Sequence, residues 1–418
     1  MEKIAIIGAG IVGLDLAICI AKHQEVHVYD ILLERITELT QHHDKFDCFT
    51  DKQLRRSGIF FHHELEEIKD ASIFILAIAT NLDKDLRPNL TTLKKATQTI
   101  ATILKKDDIM IIESSVYPKT SRDILIPILE QHSGLSFNQD FYLAYAPERY
   151  SPNDPGYEMH KMVKIIALSD PCIKERVYPI YEPIVASIYD SPSLEIAECA
   201  KILENIQRNT NIALMNEFSR ITHALDIPLH EVIKAAATKK GFHVYHPGLV
   251  GGSCLPVNPR YMAYQALLHG VDTPLLDTIC AVNEAMLDFI WTEFLKFYFA
   301  CQQTKPYPKV AIFGLGYKPN VPDLRASLNK KFVDKLINIG LTPLLHDPFP
   351  EVRAHLTTHS WEEMNDIDIC FIMLKHQQYV DIGLPAFLEC CTRDAVIMDV
   401  GDCFVDASIP PGIRYWSL

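Results

Sequence analysis

At 418 residues the chain is long enough for two or three domains, and its composition, 48% hydrophobic and 22% charged, is that of a globular protein. A formal net charge of −13 excludes nucleic acid as a main partner, since phosphate binding needs a basic face, yet leaves room for a small anion held by local cations. No apolar run reaches the roughly 18–20 residues that cross a bilayer, so no membrane association is expected.

In chain order, Met1–Gly8 reads as a strand entering a turn, without the charged start and cleavage site of a signal peptide. Short apolar strands at Lys3–Ile7, Val26–Tyr29, Ile73–Ile78, Ile109–Ile112, Phe141–Tyr145 and Lys164–Ala167 alternate with helical runs at Ile11–Lys22, Thr92–Leu104 and Ser121–Gln131. That alternation predicts a parallel sheet with helices on both faces over residues 1–190. From Pro192 the pattern changes: Leu194–Leu225 and Thr273–Tyr298 carry apolar residues at helical spacing, predicting a linking and oligomerising helical unit over 191–304. Lys305-Pro306-Tyr307-Pro308 is a linker by composition. Lys309–Gly316 then repeats the strand-to-glycine turn of Lys3–Gly10. With strands at Pro343–His346, Ile369–Met373 and Val396–Asp399 it predicts a second α/β unit over 305–418. The expected fold is α/β: two Rossmann-like doubly wound domains joined by a long-helix central domain.

Gly8-Ala9-Gly10-Ile11-Val12-Gly13 lies between a strand and a helix, as a dinucleotide fingerprint must. Gly8 permits the tight turn, Gly10 lets a pyrophosphate approach the backbone, and Gly13 allows close helix–strand packing. The helix start at Ile11 and Val12 offers N–H groups to phosphate. Asp30 ends the second strand, where a carboxylate accepts from both ribose hydroxyls and selects NAD over NADP. Arg35 is a candidate neighbour of the adenosine, or a surface arginine.

Glu113-Ser114-Ser115-Val116-Tyr117-Pro118 follows the fourth strand at the ligand-binding edge, so Ser114 and Ser115 can hold water or the nicotinamide end; a helix N-cap suits Thr120 or Ser121 better. Ala146-Pro147-Glu148-Arg149 follows the fifth strand at the same edge, making Glu148 either a general base or half of a surface ion pair. Glu198, Lys201, Asn205 and Arg208 share one stripe of the first long helix. A solvated face with a Glu204–Arg208 pair is the plain account. It leaves Lys201 beside Ala197, Ala200 and Ile202, where a desolvated ammonium needs an anion, such as an oxyanion formed during catalysis. The eleven cysteines show no Cys-x-x-Cys pair and indicate a reducing, cytoplasmic location with neither a disulfide framework nor a zinc site. The pairs His42-His43 and His62-His63 lack ligand spacing, so no metal is expected. Cys254 stands apart because a glycine-rich loop, Pro247–Ser253, precedes it and a helix, Arg260–Leu268, follows; a nucleophile and a buried structural thiol both remain open.

Together these segments resemble the UDP-glucose/GDP-mannose dehydrogenase family over nearly the whole chain, most nearly its bacterial UDP-N-acetylhexosamine 6-dehydrogenases. The resemblance rests on Glu113–Pro118, Ala146–Arg149, Ala200–Asn205 with Arg208–Leu214, Pro247–Pro259, and Gly316-Tyr317-Lys318-Pro319 with Asp323–Ser327. It implies a homodimer through the central helices and a four-electron oxidation of a UDP-sugar C6 alcohol to a carboxylate, using two NAD. Cys254 would add to the intermediate aldehyde and carry a thioester that water hydrolyses. Glu148 would act as base, Lys201 would steady the oxyanion, and Asn205 would place water. Glu148, Arg149, Tyr150, Lys201, Asn205, Tyr245, Gly248, Gly251 and Lys318 would meet the substrate. Thr80, Ser114, Ser115 and Arg325 would line the cofactor.

The sequence departs from the family pattern at four single positions, Asn258 where Asp is usual, Ser115 for Thr, Arg260 for Tyr and Lys119 for Gly, and Ile78-Ala79-Thr80-Asn81 lacks the prolines expected after the third strand. Asn can orient water but cannot take a proton, and losing one group of an acid/base site slows a step by about 10²–10⁴. Against a working dehydrogenase therefore stands a catalytically weak or silent protein that keeps both nucleotide clefts. A single-step hydroxyacid dehydrogenase has no use for the glycine–cysteine loop and ranks last.

Overall fold

The computed structural model describes residues 2–45, 48–55, 58–149 and 158–418, the side chains of 351, 354 and 355 excepted. The chain divides into two compact units, Met1–Asn205 with Val257–Thr273, and Ile206–Pro256 with Pro274–Leu418. Tyr150 lies outside the described residues.

The first unit is built on an eight-stranded sheet: β1 Ile4–Ile7, β2 Val26–Tyr29, β3 Ile59–His62, β4 Ile73–Leu76, β5 Asp108–Ile112, β6 Phe141–Tyr145, β7 Val163–Leu168 and β8 Ser187–Ser191. Their order is β8-β7-β6-β5-β4-β1-β2-β3. Strands β1 to β6 run parallel, and β1 and β4 are buried along their whole length, as continuous Ile, Ala, Phe and Leu runs require when helices cover both faces. The sheet then reverses. β7 pairs antiparallel with β6, Tyr145 opposite Ala167, and β8 pairs parallel with β7. That reversal departs from the all-parallel reading, and the edge strands β3 and β8 are not among the predicted strands.

Helix α1, Ile11–Ile20, follows β1 and packs Leu14, Ala17 and Ile18 into the sheet core. The long helix α2, Leu194–Ala224, gives its residues up to Asn205 to this unit. Helix α3, Asn258–Leu268, returns to it: its Tyr261 hydroxyl donates to the Asn81 carbonyl at 3.2 Å, and the Tyr117 ring meets Tyr264 edge-on at 5.6 Å.

The second unit contains the rest of α2, helix α4 at Pro274–Gln302, and a five-stranded parallel sheet with helix α5, Leu328–Asn338. The strands are β9 Val310–Phe313, β10 Leu344–His346, β11 Ile367–Ile372, β12 Cys391–Asp399 and β13 Arg414–Ser417, ordered β10-β9-β11-β12-β13. One sheet face is covered by α4 and α5 through Met286, Ile290, Phe294, Phe332 and Leu336. No helix among the described residues is long and apolar enough to cross a membrane.

Candidate active site

In the first unit, the β1–α1 turn has the geometry that its glycines foretell. Gly8 has φ +109°, and a Cβ there would lie 2.8 Å from the Ala77 carbonyl oxygen. A Cβ on Gly13 would meet the Gly8 carbonyl oxygen at 2.0 Å, whereas one on Gly10 would meet nothing within 4 Å. The backbone at Gly10 therefore faces open space, and Gly13 marks helix–strand contact. The flanking Ile11 and Val12 side chains pack on the sheet core, leaving the start of α1 as the exposed surface. Asp30 Oδ2 accepts from the Ala9 N–H at 2.9 Å and Oδ1 from the Leu32 N–H at 2.9 Å. Ile31, Leu32 and Leu33 are more than half exposed beside it, an apolar flank for a purine. These residues fit a dinucleotide. Arg35 is buried and spends its donors inside the protein: Nε on the Ala9 carbonyl at 3.0 Å, with ion pairs to Glu38 at 2.6 Å and Asp44 at 2.7 Å. It braces the turn from behind.

The carboxyl edge of β4, β5 and β6 gathers the polar groups. Ser114 Oγ accepts from the Ile78 N–H at 2.9 Å, and the Thr80 hydroxyl donates to the Ser115 carbonyl at 2.6 Å, so Ser114, Ser115 and Thr80 form one bonded ridge. Glu148 is largely buried, with Oε1 accepting from the Arg149 N–H at 2.7 Å. Arg149 pairs with Glu204 at 2.8 Å, so the spacing-based Glu204–Arg208 pair is not the one formed. Behind Glu148, the Lys164 ammonium lies 2.7 Å from Glu113 and 3.8 Å from Glu148. Burial pushes the Glu113 carboxyl up to about 7, against the pull of Lys164. Asp15, on α1, is raised to about 7 by burial and by repulsion from Glu148.

On α2, Glu198 accepts from the Lys119 N–H at 2.6 Å and the Ser121 N–H at 2.9 Å; burial lifts its carboxyl to about 7. One turn on, Lys201 is buried and has no ion-pair partner among the described residues. Asn205 follows at i+4, its buried Nδ2 lacking a hydrogen-bond partner among those residues. Asn258 is buried at the first position of α3, with Pro259 next.

In the second unit, the loop before Cys254 is pinned at both ends. Asn216 of α2 grips Gly248, donating from Nδ2 to its carbonyl at 3.1 Å and accepting its N–H at 2.8 Å. The same Nδ2 reaches Asn283 Oδ1 at 2.8 Å, and Asn283 donates to the Asn209 side chain at 2.7 Å. This buried asparagine ladder was missed in the sequence. Its signal is there: Asn209 and Asn216, seven apart, and Asn283 interrupt apolar helical faces. Downstream, the Gly252 N–H donates to the Ala326 carbonyl at 3.3 Å, and a Cβ on Gly251 would approach that oxygen to 2.8 Å. Gly252, at φ +85°, lies against the Tyr317 ring. Cys254 follows, exposed, with its Sγ 3.9 Å from Ser253 Oγ. Tyr245 packs on Met215, Leu229 and Ile233. Lys318 is half-buried in the loop after Gly316, and Arg325 makes a two-nitrogen pair with Asp323 at 3.1 and 2.7 Å. Among the described residues His230, Glu231 and Asp406 lie close enough to suggest a metal, but the Lys234 ammonium already bridges both carboxylates.

Models of three domains match in order: the NAD binding domain of the UDP-glucose/GDP-mannose dehydrogenase family over residues 2–185, its central domain over 195–285 and its UDP binding domain over 311–406. The chain belongs to this family. It is an NAD-dependent nucleotide-sugar dehydrogenase. Similar relatives include a UDP-N-acetyl-D-glucosamine 6-dehydrogenase of Pseudomonas aeruginosa, 35% identical with 95% of this chain and 96% of that one covered, and Protein CapL of Staphylococcus aureus, 32% identical over the full length of both. The structure of a UDP-D-ManNAc dehydrogenase from Pyrococcus horikoshii superposes with a TM-score of 0.86 at 27% identity, covering 99% of this chain and 98% of that chain.

Proposed function

We propose that the chain oxidises the C6 alcohol of a UDP-N-acetylhexosamine to the carboxylate through a covalent Cys254 intermediate, in the cytoplasm. The observation that carries this reading is the Lys201–Asn205 pair: Lys201 is a buried residue without an ion pair among the described residues, and one turn on, the Asn205 Nδ2 is buried without a hydrogen-bond partner among them. Such groups are costly to bury unless a ligand supplies the acceptor, and an oxyanion at C6 is one. The β1–α1 turn would hold NAD, which would supply the hydride acceptor, one molecule for each of two oxidations, alcohol to aldehyde and thiohemiacetal to thioester. Glu148 takes the proton of the hydroxyl, Lys201 steadies the oxygen, and Asn205 with Asn258 orients the water that releases the acid. Residues 1–190 bind NAD, 191–304 form the dimer, and 305–418 hold the UDP moiety through Lys318. Arg149, Tyr245, Gly248 and Gly251 shape the substrate side; Ser115, Thr80 and Arg325 shape the cofactor side. Dimer formation is supported by Leu214, Phe218 and Ile221, an exposed apolar stripe at i, i+4 and i+7 along α2 that Leu225 continues just past its end.

The test is to incubate the protein with NAD and a panel of UDP-hexoses and to count NADH per sugar. Two NADH per sugar, abolished by Cys254→Ser, is expected. NAD binding without NADH from any sugar would overturn the reading in favour of a silent homologue, which the proton-inert Asn258 favours. Thioester trapped on the protein at substoichiometric turnover would place the weakness in hydrolysis.

A further inference from the structure

The reversal of the first sheet has a chemical outcome at Glu148. Because β7 runs antiparallel to β6, with Tyr145 opposite Ala167, the start of β7 lies at the carboxyl edge. Continuing that register three residues brings Lys164 opposite Glu148. The Lys164 side chain is buried, its Nζ 2.7 Å from Glu113 Oε2, 3.8 Å from Glu148 Oε2 and 5.2 Å from the centre of the Tyr181 ring. Tyr181 donates its hydroxyl to Glu113 Oε1 at 2.6 Å. A cavity of about 10 Å³, room for one water, is lined by Glu148, Lys164 and Tyr181. Among the described residues, Glu148 also repels Asp15 of α1, and the guanidinium of its neighbour Arg149 is turned to Glu204 and the Val163 carbonyl. Glu113 and Glu148 thus share the Lys164 ammonium. Burial raises both Asp15 and Glu113 to about 7, so near neutral pH each shares its site with a proton.

We propose that Lys164 is a positioning residue for Glu148, its ammonium divided between Glu113 and Glu148 so that the Glu148 carboxyl is held by a cation where it takes the substrate proton. An ammonium a few ångströms away favours the charged carboxylate, and a competing carboxylate weakens that hold. The inference rests on Glu148 being the base proposed above. It predicts opposite effects for two substitutions on either side of the same bond. Lys164→Met removes that ammonium from beside Glu148, while Glu113→Gln frees the ammonium for Glu148 and keeps a hydrogen-bond acceptor for Tyr181.

The measurement is kcat/KM against pH for the full chain, with NAD and the UDP-hexose oxidised fastest in the panel above. In Lys164→Met the ascending limb should move up by about one pH unit, lowering the rate about tenfold on that limb and recovering most of it at high pH. Lys164→Arg should keep the wild-type limb, and Glu113→Gln should move it down. The KM for NAD should stay within about twofold in all three, since none of these residues lies at the β1–α1 turn. Limbs unmoved in both Lys164→Met and Glu113→Gln, or moved in the same direction, would overturn the proposal; a merely structural lesion lowers activity evenly at every pH. If Lys164→Met does not fold, the sign of the Glu113→Gln shift decides alone. Glu148→Gln separates the two readings: full activity would refute the base itself, whereas lost activity beside an unmoved Lys164→Met limb would refute only the positioning role.

Discussion

Replacing Asn216 with Ala should loosen the glycine loop before Cys254 while leaving the NAD turn untouched. Asn216 makes three hydrogen bonds, two part-buried ones to Gly248 and a buried one to Asn283. Each is worth about 1 kcal/mol net, and the orphaned Gly248 N–H adds to the loss unless water enters the hole. A local destabilisation of about 2–3 kcal/mol follows, which is about a 30- to 150-fold rise in the opening equilibrium. Hydrogen exchange followed by mass spectrometry reads this directly, because the Gly248 amide is itself the donor to Asn216. The peptide spanning Gly248 should exchange faster by that factor, while peptides from β1 and α1 should not change. Turnover should fall with the NAD dissociation constant unaltered. Asn283→Ala should act less strongly, and the double variant should fall short of the sum by about 1 kcal/mol, since the two side chains share a bond of 2.8 Å. Acceleration below about threefold would show that the Gly248 grip contributes little and that the contacts at Ala326 and Tyr317 hold the loop alone.

Asp30→Ala removes the acceptor of the Ala9 N–H as well as the proposed ribose partner, so NAD affinity should fall at least about tenfold and the preference over NADP should shrink, measured by fluorescence titration of both cofactors. Glu198 has a folded pKa of about 7 against an ordinary value of 4.5. The protonated carboxyl is favoured in the fold, so its stabilising effect is full below about 4.5 and is lost as pH rises through about 7. Glu198→Gln should therefore flatten the fall in melting temperature between those pH values, and a parallel fall in both proteins would remove Glu198 from the account. Asn258→Asp, at the N-terminus of α3 where a negative charge is favoured, should speed release of the acid product. A slower enzyme would show that the site is adapted to the amide.

Features written within a few residues of one another were the legible ones. The Gly8–Gly13 turn, Asp30 and the two long helices depend on local spacing and apolar period, and the structure returns them nearly at the predicted bounds. Strand direction is not encoded that way. Lys164–Ala167 read correctly as a strand, yet its reversal, and so the meeting of Lys164 with Glu148, depends on a connection through residues that carry no periodic signal. Spacing also misled where a tertiary partner was better placed. Glu204 and Arg208 sit at i,i+4, but Arg149 arrives from the end of β6 and takes Glu204. A surface i,i+4 pair is worth only a few tenths of a kcal/mol, so a half-buried two-nitrogen pair displaces it easily.

The two glycine turns show how one local design yields two different surfaces. In both, the first glycine donates its N–H to the end of the neighbouring strand, Gly8 to Tyr29 at 2.8 Å and Gly314 to His346 at 2.9 Å. In both, the next residue donates to the acid that follows that strand: Ala9 to Asp30 at 2.9 Å, and Leu315 to Asp347 at 2.8 Å. The difference lies in what comes next. After Gly10 the helix begins at once, and its N–H groups face open space beside a half-open Asp30. After Gly316 the chain runs out through Tyr317–Ala326 before Ser327 caps α5, and Ser327 and Asn329 fold back to bond the Gly316 carbonyl at 3.0 and 2.8 Å. Asp347 is fully buried. A pyrophosphate therefore has no helix start to meet at the second turn. The inserted loop instead supplies Tyr317 and Ala326, the two residues against which Gly251 and Gly252 close. The repeated fold thus keeps its frame in both units, and the helix offset after the glycines decides which copy binds a dinucleotide and which presents the cysteine loop.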